Sequence, residues 1–135
     1  MNFSFYLKLY LLTIPVFFLI DMVWLGFIAK NFYQKEIGHL MADDPNWVAA
    51  IIFYLIYIVG IIFFSVQPAL EEGGWQKALL YGVLFGFFTY ATYDLTNLAT
   101  LKNWSVKVVL GDIVWGMFLC GTVTTASFFI AKWLE

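Results

Sequence analysis

Four long apolar runs, separated by short polar breaks, constrain this chain more than any other feature. A helix that crosses a bilayer needs roughly 20 apolar residues, and the runs at about residues 9–29, 47–66, 75–98 and 106–131 each meet that length. The residues are 63% hydrophobic and only 12% charged, where a soluble domain carries about 25% charged residues. Such a chain has too little polar surface to coat itself in water. The expected architecture is all-α: residues 1–135 form one integral membrane four-helix bundle with short loops.

The breaks follow local chemistry. Pro15 interrupts the backbone donors of the first run and is expected to kink it. A cleaved secretory leader is a poor reading of that run, because its apolar core is long, holds Asp21 and precedes no small-residue cleavage site. In the first loop Tyr33, Ile37, Leu40 and Met41 recur at helical spacing, which predicts a short interfacial helix. Asp44 and Pro45 form a helix start ahead of the second run, and Pro68 is its expected stop. Glu71, Glu72, Gly73 and Gly74 make a polar turn, and Ser105 is the expected cap of the fourth run.

Net charge of −2 and the absence of arginine argue against nucleic acid as a partner and against fork-like recognition of phosphate. Lysines are split almost evenly between the two sides, so charge does not orient the chain. Cys120 is alone, which leaves no intrachain disulfide, and reads as a packing residue. His39 sits beside Glu36 and Asp43, a poor ligand set, so no metal and no cofactor are expected. Trp47, Trp75, Trp104 and Trp133 fall at span ends and read as an aromatic belt.

Three aspartates lie within the apolar runs: Asp21, Asp94 and Asp112. A carboxylate at membrane depth costs a few kcal/mol or more and by default marks a functional site. Four spans put the first and third loops on one side, and each aspartate lies within a few turns of them. Tyr54 and Tyr57 reach the same half from the second run. On the third run Gly82, Gly86, Tyr90, Asp94 and Asn97 share a face, where small residues admit a neighbouring helix. Asp94, Asp21 and Asp112 are therefore the candidate catalytic residues, with Tyr93, Asn97, Tyr54, Tyr57, Trp24 and Trp115 as candidate substrate-binding residues. The competing reading makes the carboxyls structural, satisfied by Tyr, Trp and Asn and holding the helices in register. The segments Asp21-Met22-Val23-Trp24 and Asp112-Ile113-Val114-Trp115 look alike, but the tryptophans lie on opposite sides of their aspartates in depth, which favours coincidence.

Thr92, Tyr93, Asp94, Leu95, Thr96 and Asn97, followed by Ala99, Thr100, Leu101 and Trp104, resemble a family of predicted bacterial membrane proteins, domain of unknown function 2177. Asp21, Trp24, Leu25 and Gly26, with Asp112, Trp115 and Gly116, extend the resemblance over nearly the whole chain. It implies a four-span protein of the bacterial inner membrane and brings no activity with it.

Three functions compete. A membrane-embedded enzyme would use the aspartates for acid–base chemistry on a lipid or isoprenoid, with Asp94 as the leading acid. A proton-coupled carrier or channel would use them as a relay and, with so few spans, would act as an oligomer. An accessory subunit would use them to fix helix pairing. Expected partners are membrane lipids, a hydrophobic small-molecule ligand and, for a carrier, further copies of the chain.

Overall fold

The computed structural model describes residues 2–135, and among them there are helices and turns but no strand. Backbone donors and acceptors find no water in hydrocarbon, so each spanning segment must satisfy its own, which a helix does. Four helices are long and apolar enough to cross a membrane: α1 (Phe3–Ile28), α3 (Trp47–Glu72), α4 (Trp75–Thr100) and α5 (Val106–Leu134). Between the first two lies α2 (Lys30–Ile37), a short helix in the first loop, extended by a 3-10 turn at Gly38–Leu40.

Helix ends differ from the expected ones in instructive ways. The cap of α3 is Asn46, whose Oδ1 accepts from the Ala49 N–H at 3.1 Å, and not Asp44; Pro45 stays outside the helix. Asn and Asp cap about equally well, so the residue adjoining the first helical position takes the role. Pro68 does not end α3, which runs on to Glu72. A π turn at Ile62–Val66 precedes the proline, the kind of local adjustment by which a membrane helix accommodates one. Pro15 lies inside the continuous helical stretch Phe3–Val23. Gly73 and Gly74, with φ of 78° and 113°, supply the left-handed backbone of the two-residue link to α4. Ser105 caps α5 as expected, accepting from the Val108 N–H at 3.2 Å.

Helix α5 is the hub. It is the most buried of the four spans and α1 the least, because α1, α2, α4 and the Ile62–Val66 stretch of α3 all lean on it. The α4–α5 pair is the tightest contact, and glycines explain it. A side chain on Gly82 would meet the Cys120 carbonyl and Thr124, and one on Gly86 would meet the Gly116 backbone. Removing Cβ there lets two backbones touch, which is how helices associate when lipid is as apolar as leucine. By contrast, α3 brings its backbone close to α4 only from Ile62 onward. Its first half leans toward α1, so α3 and α4 part as they approach the first and third loops.

On α1, Leu9, Thr13, Phe17 and Asp21 form the buried stripe at a spacing of four. Phe17 fills the centre, edge-on to Tyr57 at 5.9 Å and tilted against Tyr54 at 5.6 Å. Large apolar side chains such as Leu19, Ile56, Phe63, Phe88 and Phe118 point outward, the arrangement a lipid-facing surface requires.

Candidate functional site

Each spanning helix brings a polar side chain to the same depth. Asp21 lies seven residues before Ile28, Tyr54 seven after Trp47, Asp94 six before Thr100 and Asp112 six after Val106. At about 1.5 Å per residue all four sit roughly 9–11 Å from the helix ends at the first and third loops.

The two tryptophan motifs pair reciprocally. Trp115 Nε1 donates to Asp21 Oδ1 at 3.1 Å. Trp24 Nε1 donates to the Tyr33 hydroxyl at 3.1 Å, and that hydroxyl donates to Asp112 Oδ1. Each motif thus serves the other's aspartate, one directly and one through a tyrosine. The indoles stack between them, centroids 4.4 Å apart and planes 6° from parallel. The two segments that look alike in sequence meet in a crosswise contact between α1 and α5. The π turn at Trp24–Ile28 begins at the first of these tryptophans, a local widening common at functional sites.

Tyr33 comes from α2, outside the membrane spans. Burial, reinforced by the Asp112 carboxyl, pushes its hydroxyl well above the usual tyrosine range, so it stays a neutral donor. Helix α2 is held in place by Phe32, which lies over Gly111, and by Glu36, which accepts from Ser105 Oγ at 3.1 Å and pairs with Lys107 at 3.8 Å. Its Tyr33, Ile37 and Met41 face lies over the polar centre.

Asp94 differs from its two companions. It is fully buried, and neither carboxyl oxygen has a hydrogen-bond partner. The Asp112 carboxyl and the Trp104 indole approach it, and the Trp104 N–H is itself unpaired. A buried polar atom left unpaired costs about 1–3 kcal/mol, and here the unpaired Trp104 N–H and the Asp94 carboxyl lie beside each other.

Two cavities meet at this centre. One, of about 330 Å³, has Asp21, Trp24, Tyr33, Tyr54, Trp104 and Trp115 in its wall. The other, of about 540 Å³, runs down the opening between α3 and α4, past Phe53, Tyr57 and Thr89. Tyr90, Tyr93 and Asp112 belong to both. Phe53 and Tyr93 are 55% and 57% exposed, so this second cavity opens sideways, toward lipid.

The structure thus brings Asp21, Asp112, Tyr54, Tyr93, Trp24 and Trp115 to one cavity. Asp94 stands behind the wall rather than on it. Tyr57 lines only the second cavity, its hydroxyl taken up by Thr89 at 2.8 Å and Cys120 at 3.0 Å. Asn97, on the last turns of α4, lines neither. Tyr33, Tyr90 and Trp104 were not among the expected site residues. Tyr33 had a signal in its shared face with Ile37 and Met41, and Trp104 follows the Thr92–Asn97 segment, the part most specific to the family resemblance.

A family model described as predicted membrane protein (DUF2177) matches residues 6–129. The chain belongs to this family. Comparison with curated proteins and with solved structures gave no match. The DUF2177 match encloses every carboxyl, indole and phenol of the site, from Asp21 to Trp115. Membership establishes a membrane protein, and the geometry above is what bears on its chemistry.

Proposed function

We propose that this DUF2177 protein is an enzyme of the bacterial inner membrane, built as a single four-span domain, that carries out acid–base chemistry on a lipid or isoprenoid. One observation carries the reading: a fully buried carboxyl, Asp94, lies against a second carboxyl, Asp112, that faces both cavities. Two carboxyls that close favour sharing one proton, which is the form a general acid needs. Asp112 is then the acid, Asp94 the group that holds and resupplies its proton, and Asp21 the base across the cavity. The lateral opening past Phe53 and Tyr93 supports a substrate that arrives from the bilayer.

Double-bond migration is the simplest reaction this set performs. The Asp112 proton passes to one alkene carbon, whose π electrons form the new C–H bond and leave a cation on its neighbour. Asp21 takes a proton from the next carbon, and that C–H pair becomes the shifted double bond. The net transfer of one proton from Asp112 to Asp21 is reset through solvent at the loop face. If an internal alkene attacks the cation first, the same steps close a ring.

Deuterium uptake tests this. The chain reconstituted in D2O with native membrane lipids should place deuterium on the former alkene carbon, saturated and next to the shifted double bond in the product, and Asp112→Asn should abolish it. Absence of uptake into any lipid, with an unchanged lipid profile in cells lacking the protein, would overturn the enzyme reading. A pH-dependent vesicle flux lost in Asp21→Asn would replace it with a proton relay.

A further inference from the structure

The walls of the polar cavity combine acid and aromatic faces in a way that selects charge. Asp21 and Asp112 line it. So do three tryptophans, Trp24, Trp104 and Trp115, and four tyrosines, among them Tyr90 and Tyr93. No lysine and no histidine contributes to it. The lysines on this side, Lys30, Lys35, Lys102 and Lys107, are exposed, and Lys107 pairs with Glu36 at 3.8 Å. The sequence has no arginine to offer. Behind the wall, the fully buried Asp94 carboxyl lies beside Asp112 and the Trp104 indole and adds a further acid to the set.

We infer that the cavity binds a positively charged centre on a single hydrocarbon chain: a lipophilic ammonium, or the carbocation of the reaction proposed above. This rests on that reading for the carbocation, and on the cavity alone for the ammonium. A ring face attracts a cation through its quadrupole, most strongly when both are out of water, and cages of aromatic residues bind quaternary ammonium groups in this way. Carboxyls add the complementary charge. The same set repels phosphate and diphosphate, since no cation is present to neutralise them. Phospholipid headgroups and prenyl diphosphates are therefore excluded as occupants of the polar cavity, and an uncharged isoprenoid that becomes cationic only during reaction is admitted. The hydrocarbon tail follows the lateral cavity along Phe53 and Tyr57.

Three probes with one tail length separate the terms: dodecyltrimethylammonium, dodecanol and dodecyl phosphate. Binding to the full-length protein in nonionic micelles is read from intrinsic tryptophan fluorescence, because the Trp24–Trp115 stack lies in the wall. The ammonium should saturate at a concentration at least tenfold below that for dodecanol, and dodecyl phosphate should give no saturable change. Asp21→Asn and Trp115→Phe should each weaken the ammonium by at least tenfold while leaving dodecanol unaffected. Equal affinity for all three probes in the wild-type protein overturns the inference, whatever the variants do. Ammonium selectivity in a protein that turns over no lipid would keep this site and remove the enzyme reading. Turnover without selectivity would do the reverse.

Discussion

The two ends of the bundle treat polar groups differently. Toward the second loop and the carboxyl terminus, hydroxyls and amides are paired: Thr13 with Ser127 at 2.9 Å, Tyr6 with Gln67 at 2.5 Å, and Ser65 with the Tyr81 carbonyl at 3.2 Å. Among the buried side chains of the described residues there, only Thr124 Oγ1, pressed against Gly82, lacks a partner. These bonds tie α1 to α5 and α3 to its neighbours, and no ionisable group is involved in the deep ones. Toward the first and third loops the polar groups are acids, and the most buried of them is unpaired. Both ends carry polar groups at membrane depth, so depth alone does not mark function. What separates the two ends is an ionisable group, fully buried and set behind a cavity.

Asp112→Asn should break the contrast most strongly. Losing a positioned acid costs about 10²–10⁴-fold in rate, so lipid turnover should fall by at least a hundredfold while the thermal midpoint in detergent stays near wild type. Equal losses of folding and turnover would return Asp112 to the structural class.

Gly86→Leu probes the shared scaffold. Its side chain meets the Gly116 backbone, which cannot step aside, and overpacking of that kind costs about 1–3 kcal/mol. Chemical unfolding in mixed micelles should register that loss. An unchanged midpoint would mean that α4 and α5 are further apart than the glycine contacts indicate.

Asp94→Leu and Thr13→Val set the two ends directly against each other. Asp94→Leu should abolish turnover, because Asp112 loses the carboxyl that shares its proton. Thr13→Val removes a satisfied bond and should lower stability by about 0.6 kcal/mol with turnover intact. Turnover that survives in Asp94→Leu would return Asp94 to the structural class.

Tyr33→Phe should have the smallest effect. Because burial raises the Tyr33 hydroxyl above its unfolded range, its contribution is full below about pH 10 and is lost as pH climbs from there toward the folded value. Wild-type unfolding midpoints should therefore drop in strong alkali, and the variant should drop less. Parallel curves would place the Tyr33 hydroxyl in water.

Much of the fold was legible because hydrocarbon allows so few solutions. Four apolar runs became four long helices, and Ser105 caps the last of them. Helix ends were less legible: Phe3 rather than Leu9 begins α1, since polar residues in the headgroup region do not stop a helix. The common depth of Asp21, Asp94 and Asp112 followed from counting residues. Which of them faces a cavity did not, because rotation of α4 about its axis is set by the Gly82 and Gly86 contacts with α5 and not by Asp94 itself. The crosswise pairing of Trp24 and Trp115 was hidden for a related reason. It depends on α1 and α5 being neighbours, and on Tyr33 arriving from a loop helix whose amphipathic face gave no hint of what lay beneath it.

Infrared spectroscopy of the protonated carboxyl stretch tests the meeting of Asp94 and Asp112 most directly. Wild-type protein, Asp94→Asn and Asp112→Asn, each reconstituted in lipid and titrated with acid, would be compared for that band. A single band that either substitution abolishes or shifts, the mark of one proton held between two carboxyls, is the expected result. Two bands that respond independently, each lost only with its own residue, would contradict a shared centre and leave three separate aspartates in a membrane.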